Sequence, residues 1–143
     1  MAVTTTLSNH YKYMLKTGEI DESSDTLKII LMNTTFTFDE DAHATLANVT
    51  ADQLSTGNGY TQNDKTLANV SVQELDASDK ASTTCDDVSW TASGGSIGPF
   101  GALIIYDDST SDDTVIGCID LGTDYTITDG SSYLQKDITI DLT

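Results

Sequence analysis

The stretch from Ser89 to Asp108 constrains the fold more than any other part of the chain. It holds the only tryptophan (Trp90), the only proline (Pro99), four of the ten glycines and the strongest apolar run. Ala102 to Tyr106 predicts a strand with both faces covered, because a short continuous apolar run bounded by Gly and Asp leaves no side for solvent. The glycines and the proline ahead of it predict a tight corner between two strands. We therefore expect the core and its sharpest turn to meet here.

The glycine-rich segment Gly94 to Gly98 resembles a phosphate-binding loop only in its glycine content. A P-loop ends in Lys-Ser or Lys-Thr, and a dinucleotide-binding loop opens a helix, whereas this segment leads into a predicted strand. The negative charge of the chain also repels anions. We interpret the segment as a structural corner and expect no cofactor.

The charge balance limits the classes of partner. Six lysines and no arginine stand against 23 acidic residues, for a formal net charge of -17. Nucleic acid is excluded as a partner, because its binding depends on basic side chains that neutralise phosphates. No apolar stretch has the length of a membrane span, so we expect no membrane partner. The acidic surface predicts solubility at high copy number and a partner with a basic docking face.

Residue classes and spacing predict an all-β fold. Thr and Ser are abundant, Asp and Gly recur about every ten residues, and long helix formers are scarce. Strands are predicted at Leu27–Met32, Phe36–Phe38, Leu67–Val72, Ser82–Cys85, Val88–Trp90, Ala102–Tyr106, Val115–Leu121, Tyr125–Ile127 and Ile138–Leu142. Short strands at this spacing predict an antiparallel two-sheet sandwich, jelly-roll-like in character.

One short helix is expected near the start of the chain. Leu7, Tyr11, Met14 and Leu15 recur at helical spacing, and Gly18 follows as a terminator. The helix should cover an open end of the sandwich, because a short helix is only marginally stable alone.

Four further segments predict turns or loops. Thr50 to Gln53 has the spacing of a capping box and predicts a single helical or 3₁₀ turn. Gly57 to Gly59 and Asp129-Gly130 predict tight turns, and Asp107 to Asp113 predicts a charged hairpin loop.

The chain divides into an arm, residues 1–6, and a single β-sandwich domain, residues 7–143. The arm is small and polar, so we expect it to be mobile in isolation and ordered by a neighbour. The last strand carries Lys136, Asp137 and Asp141 at polar positions, a pattern typical of a protected sheet edge.

The candidate catalytic residues are the two histidines. His10 lies on the predicted helix and His43 in a turn, and neither stands in a recognisable catalytic setting. A hydrolytic enzyme would require a pocket that brings one of them beside a carboxylate or a nucleophile. We expect no catalytic residues and no enzyme activity.

Acidic clusters and cysteines are the candidate metal ligands. The loop from Asp107 to Asp113 is the best candidate for Ca²⁺, but it lacks the glycine and the bidentate glutamate of an EF-hand, which favours a solvated turn. The two Cys and two His form no ligand pair typical of zinc. Cys85 and Cys118 lie in strand-like segments. Without a signal peptide we expect a reducing cytoplasm and two buried thiols, with a disulfide left open.

The aromatic residues form no regular stripe. Trp90 and Tyr106 are therefore expected in the core rather than in a ligand stack. A glycan-binding loop at an end of the sandwich stays open as an alternative.

Four segments carry a family resemblance: Ser24 to Met32, Gly57 to Thr61, Trp90 to Ala92 and Ile104 to Asp108. They resemble the run of motifs in small structural proteins of tailed double-stranded DNA bacteriophages, over most of the chain from Leu7 onward. Within that group the chain is similar to the capsid decoration, or cement, proteins, some of which are jelly-roll sandwiches clamped on the outside of the head. The matched residues are core and turn positions, so no site residue is carried over.

The resemblance implies a non-enzymatic virion protein on the capsid exterior, made in the host cytoplasm. It would bind the major capsid protein, cement neighbouring subunits and associate with itself as a dimer or trimer. The expected staples are the arm Ala2 to Thr6 and the final strand Ile138 to Thr143. The alternative is a phage tail or receptor-binding component that recognises a cell-surface glycan.

Overall fold

The computed structural model describes residues 3–143 and shows strands in mainly antiparallel sheets with few helices. The strands are β1 (Val3–Thr4), β2 (Thr6–Leu7), β3 (Leu27–Met32), β4 (Ser71–Leu75), β5 (Lys80–Thr84), β6 (Val88–Thr91), β7 (Ile97–Asp107), β8 (Val115–Ile127), β9 (Ser132–Gln135) and β10 (Ile138–Leu142). The helices are α1 (Asn9–Thr17) and α2 (Leu46–Val49), with 3₁₀ turns at Thr50–Asp52 and Asp76–Ser78. The predicted all-β class is confirmed.

The strands form two four-stranded sheets and a two-stranded ribbon. The first sheet has the order β1-β10-β5-β4, the second sheet has the order β2-β8-β7-β3, and β6 pairs with β9 in the ribbon. All pairs are antiparallel except β1 with β10. The predicted tight turn at Gly57 to Gly59 and the hairpin loop between β7 and β8 are both present.

In the second sheet, β3 and the Ala102 to Tyr106 part of β7 are largely buried on both faces, which accounts for their apolar sequence. On one face, Leu103 and Ile105 share a core with Ile140 of the first sheet. On the other face, Ile104 and Tyr106 belong to a second apolar cluster. Alternating residues of one strand thus enter different cores, as the period of two requires. The prediction that Ala102 to Tyr106 has both faces covered is confirmed.

Phe36 and Phe38 do not continue a strand as predicted. They lie in an irregular segment, and both rings pack against the second apolar cluster. The outer side of β3 is occupied instead by later residues, since Leu54 donates to the Leu31 carbonyl and Ile29 donates to the Lys65 carbonyl. The alternation of these phenylalanines therefore reflects a loop that covers a sheet rather than a strand that pairs in one.

The corner ahead of β7 is shorter than predicted. Gly94 and Gly95 form the turn, whereas the cis peptide bond Gly98-Pro99 lies inside β7 at a shift of register. Pairing of Ile97 with Ile127 keeps this segment in the sheet. Because β7 pairs with β8 as far as Ile127, β8 is one continuous strand. The sequence predicted two strands there, at Val115–Leu121 and Tyr125–Ile127.

The described part of the predicted arm belongs to both sheets. Strand β1 pairs with β10, strand β2 pairs with β8, and the buried Thr5 between them donates from Oγ1 to the Thr139 carbonyl. Residues 1 and 2 lie outside the described residues.

The prediction of β10 as an edge strand is wrong. It lies between β1 and β5, because the start of the chain returns to pair with its first two residues, Ile138 and Thr139. Its Asp141 binds Lys80 at 2.7 Å and accepts from Ser82 Oγ at 2.6 Å. The charged positions of β10 thus stabilise a strand pair.

The predicted N-terminal helix is confirmed as α1. Ser8 caps its start, where Oγ accepts from the Tyr11 amide at 3.0 Å, and Gly18 ends it at a φ of 81°. Tyr11 is buried against the main core and donates to the Glu22 carboxylate. No helix within residues 3–143 has the length and apolar character needed to cross a bilayer.

Candidate functional site

His10 lies beside a carboxylate, which the sequence did not predict. Its Nε2 is 2.8 Å from Asp112 Oδ2, and Asp112 Oδ1 accepts from the hydroxyls of Thr110 and Thr114. The pair meets one requirement of a hydrolytic site. Within residues 3–143, however, it has no nucleophile bonded to the imidazole and lines none of the cavities described below. Its visible role is to join α1 to the loop between β7 and β8.

His43 organises the segment that covers the second sheet. Its Nδ1 accepts from the Asp39 amide at 3.0 Å, and its ring centroid lies 5.1 Å from that of Phe36 and 5.8 Å from that of Phe38. A ring nitrogen that accepts a hydrogen bond carries no proton, so this contact uses the neutral imidazole. His43 therefore acts as a structural support for two phenylalanines.

The carboxylates of the loop from Asp107 to Asp113, the best calcium candidate in the sequence, bind separate partners. Asp107 is buried and accepts from the Ser109 amide at 2.9 Å, while Asp108 pairs with Lys28 at 3.2 Å. Among residues 3–143 no three metal-ligating side chains converge. The loop is stabilised by its own hydrogen bonds, such as the one from Thr110 Oγ1 to the Asp107 carbonyl.

Two carboxyl groups are buried in the interior. Burial, together with a hydrogen bond with Asp25, raises the pKa of Asp107 to about 7. Burial also raises the pKa of Glu22, against hydrogen bonds from Tyr11 and Thr83 that lower it. Nothing in the sequence marks these two among 23 acidic residues. They matter for stability, because their charged forms are disfavoured in the fold.

Both cysteines are free thiols, as predicted. Cys118 is buried and Cys85 is half-buried. Burial raises the pKa of Cys118 to about 12 and that of Cys85 to about 11, with neighbouring aspartates adding to both shifts. Neither thiol is activated for nucleophilic chemistry, because the thiolate is the reactive form.

Strand β4 is the open edge of the first sheet. Its first four residues are exposed, and the Val72 side chain is 48% exposed. In the described part of the chain, no other segment hydrogen-bonds to its outer side. An exposed edge presents unpaired N–H and C=O groups, so it is a template for pairing with another chain.

Two adjoining cavities form a groove on the outer face of the second sheet. One has a volume of about 200 Å³, and its lining includes Phe36, Phe38 and Cys118; the other has a volume of about 450 Å³, and its lining includes Asp120 and Asp124. Phe36 and Asp120 line both cavities. We call these five residues the acidic groove.

Four aromatic rings cluster where the ribbon meets β7 and β8. Phe100 lies edge-on to Tyr133 at a centroid distance of 5.1 Å, Trp90 is 6.4 Å from Tyr133, and Tyr125 is 5.4 Å from it. Trp90 and Tyr106 are buried, which confirms their predicted place in the core. Tyr125 is 42% exposed, so the cluster reaches the surface.

The structure thus offers several surfaces for recognition, among them the β4 edge, the acidic groove and the exposed face of Tyr125. Sequence reasoning did not find the first two, because each depends on how distant segments meet. Comparisons of the chain with protein-family models, with curated proteins and with solved structures found no match.

Proposed function

We propose that this chain is a non-enzymatic structural protein of a tailed-phage virion that binds the outer surface of the capsid and cements neighbouring major capsid subunits. We also propose that its two four-stranded sheets form a jelly-roll-like sandwich. A shared core supports the sandwich, since Ile105 of the second sheet and Ile140 of the first belong to one apolar cluster. The sequence resemblance to decoration proteins supports the role.

The observation that carries the proposal is the open edge of β4. A protein that joins subunits needs a surface that recruits another chain, and strand addition at a sheet edge supplies main-chain hydrogen bonds for this purpose. The five residues of β4 contain no proline and no lysine, which are common guards of an exposed edge. The net charge of -17 fits a basic docking face on the partner.

We propose that attachment uses β4 rather than the two chain ends, because residues of both ends are already paired within the sheets. Thr6 and Leu7 pair with β8, while β10 pairs with β5 on one side and, through Ile138 and Thr139, with β1 on the other. Removing residues 1–6 would therefore delete paired strands as well as any contact with a capsid. That deletion cannot separate attachment from folding, whereas a change on β4 can.

A groove between α1 and β10 supports self-association. It has a volume of about 420 Å³ and an apolar lining that includes Leu15 and Leu142, with Lys12 and Lys16 at its rim. In the described part of the chain neither lysine forms an ion pair. Since the rest of the surface is strongly acidic, a second copy is an electrostatically suitable neighbour.

The test is binding to phage heads assembled without this chain. Wild-type protein, Val72→Lys and Leu134→Lys are mixed with purified heads, and occupancy is measured by gel densitometry and by cryo-EM of the head. Leu134 is the matched control, because it is exposed to the same 48% on strand β9. We expect head-wide binding of the wild type, at least about tenfold weaker binding of Val72→Lys, and unchanged binding of Leu134→Lys.

Heads that carry the protein should also release their DNA at a higher temperature than bare heads. Equal loss of binding in both variants would refute the role of β4. Signal confined to the tail tip in labelled-antibody microscopy would refute the capsid role itself.

A tail component that recognises a cell-surface glycan is the second candidate, and the exposed ring of Tyr125 favours it. Aromatic faces commonly support ligand rings at the surface, and Tyr125 is held from below by Phe100 at a centroid distance of 6.1 Å. A glycan array with wild type and Tyr125→Ala tests this function. Binding that is lost in Tyr125→Ala would support it, and no binding by the wild type would remove it.

A further inference from the structure

We infer that the acidic groove binds a lysine or arginine side chain presented by a partner protein. The groove sets an apolar wall, made by Phe36 and Phe38, next to a polar cavity lined by Asp120 and Asp124. Lysine and arginine have the matching character, because an apolar stem carries a charged head.

The acidic half of the groove is open to an incoming cation. Asp120 and Asp124 are both exposed, and Asp120 Oδ1 accepts from the Gly122 amide at 2.9 Å. Gly101 leaves room for the second carboxylate, since a Cβ at that position would lie 2.8 Å from Asp124 Oδ1. Within the described residues no lysine lines either cavity, so these two charges are not neutralised by a residue of the groove.

The apolar half is rigidly built. His43 lies against the rings of Phe36 and Phe38, and its Nδ1 is fixed by the Asp39 amide. Cys118 contributes a neutral surface, because its thiol is buried and stays protonated at neutral pH. A cation above an aromatic face gains a further attraction. The wall therefore offers contacts to an alkyl stem without adding charge.

Charge complementarity selects this occupant over a neutral one. Two carboxylates in one cavity repel each other, and a guanidinium or ammonium group relieves that repulsion and donates hydrogen bonds to carboxylate oxygens. A neutral sugar would leave both charges uncompensated. The inference deepens the proposed function and rests on it for the identity of the partner, since a capsid subunit with a basic loop would supply the side chain.

The test uses two short probe peptides and the full chain. The ¹⁵N-labelled protein is titrated with acetyl-Gly-Arg-Gly-amide and with the same peptide carrying citrulline, which keeps the shape of arginine and lacks its charge. We expect the arginine peptide to shift the amides of groove residues, and the citrulline peptide to bind at least about tenfold more weakly. Added salt should weaken the arginine peptide selectively.

The double variant Asp120→Asn, Asp124→Asn should weaken the arginine peptide about tenfold, and the control Asp76→Asn, Asp79→Asn should bind it as the wild type does. The control removes the same charge from exposed positions beyond β4. Equal binding of both peptides, shifts scattered over the surface, or equal loss in both variants would overturn the inference. So would a neutral methyl glycoside that shifts the groove amides when arginine does not.

The peptide experiment contains no capsid, so its failure is distinct from failure of the proposed function. If the arginine peptide does not bind the protein but the protein still binds phage heads, only the inference about the groove is overturned. If the arginine peptide binds at the groove but the protein does not bind phage heads, the inference about the groove stands and the proposed capsid role is overturned.

Discussion

Thr5 Oγ1 donates a 2.8 Å hydrogen bond to the backbone carbonyl of Thr139, which lies 134 residues further along the chain. This contact lies at the crossing point where the chain leaves β1 in the first sheet and enters β2 in the second. The beginning and the end of the described chain are therefore joined beside the core. The N-terminal segment contributes to folding.

Thr5→Val should destabilise the fold by about 1 kcal/mol, because it removes a buried hydrogen bond and keeps the shape of the side chain. Urea unfolding followed by fluorescence of Trp90 measures the loss. Thr126→Val, at an exposed position of β8, is the control and should change the free energy of unfolding by less than about 0.5 kcal/mol. Equal effects of the two variants would show that the N-terminal crossing is not part of the folded unit.

Gly117→Ala should cost about 1–3 kcal/mol, because a Cβ there would lie 2.3 Å from the Thr6 carbonyl oxygen and force β2 away from β8. Gly101→Ala is the matched control, since its nearest obstacle is the movable carboxylate of Asp124. Thermal unfolding of both variants measures the difference in stability. A Gly117→Ala protein as stable as the wild type would contradict the close packing of β2.

Stability should fall as the pH rises from about 4 to about 7. Burial raises the pKa of Asp107 from an ordinary 3.8 to about 7, so the folded state keeps a proton that the unfolded state has already lost. Glu22, whose pKa burial also raises, acts in the same direction. The loss should be on the order of 1–3 kcal/mol and is measured by urea unfolding across this range.

Asp107→Asn should flatten this pH dependence, because the amide has no proton to lose. Asp64→Asn, at an exposed position, should leave the slope unchanged. Hydrogen bonds from Lys80 and Ser82 lower the pKa of Asp141. A group with a lowered pKa loses its contribution to folding stability at more acidic pH, so it does not cause a fall in stability between pH 4 and 7. A stability that rises between pH 4 and 7 would contradict the burial of a protonated Asp107.

Both thiols should react slowly with iodoacetamide at pH 8 in the native protein. Their raised pKa values, about 11 for Cys85 and about 12 for Cys118, leave little thiolate, and burial limits access. We expect labelling at least about tenfold slower than in the urea-unfolded chain, which should take up two labels by mass spectrometry. One fast native thiol, or a mass two units low from a disulfide, would contradict the structure.

Local features of the sequence predicted the elements that have a distinctive residue pattern over a few positions. Helix α1 follows from its apolar spacing together with Ser8 and Gly18 at its ends, and both residues cap it. Strand β3 has the predicted bounds, Leu27–Met32, because a run of β-branched and apolar residues is suited only to a covered strand. These signals act within a few residues, so a pattern detects them.

The candidate surfaces depend on contacts that no pattern records. Apolar residues alternate in the loop from Phe36 to Phe38 as they would in a paired strand. The structure distinguishes the two cases, because the outer side of β3 is already hydrogen-bonded to other segments. His10 and Asp112 are 102 residues apart, and the sequence offers no reason to pair them.

The amino-acid sequence alone determined an all-β chain of strongly negative charge, with Trp90 and Tyr106 in its core. Tertiary structure decided which strand is left at an edge, which carboxyl groups are buried, and which aromatic rings wall a groove. The reason is physical. The tendency of a residue to be buried, and to form a helix or a strand, depends mainly on its own side chain. The pairing of a strand edge depends instead on segments far away in the chain, which compete for the same hydrogen-bonding groups.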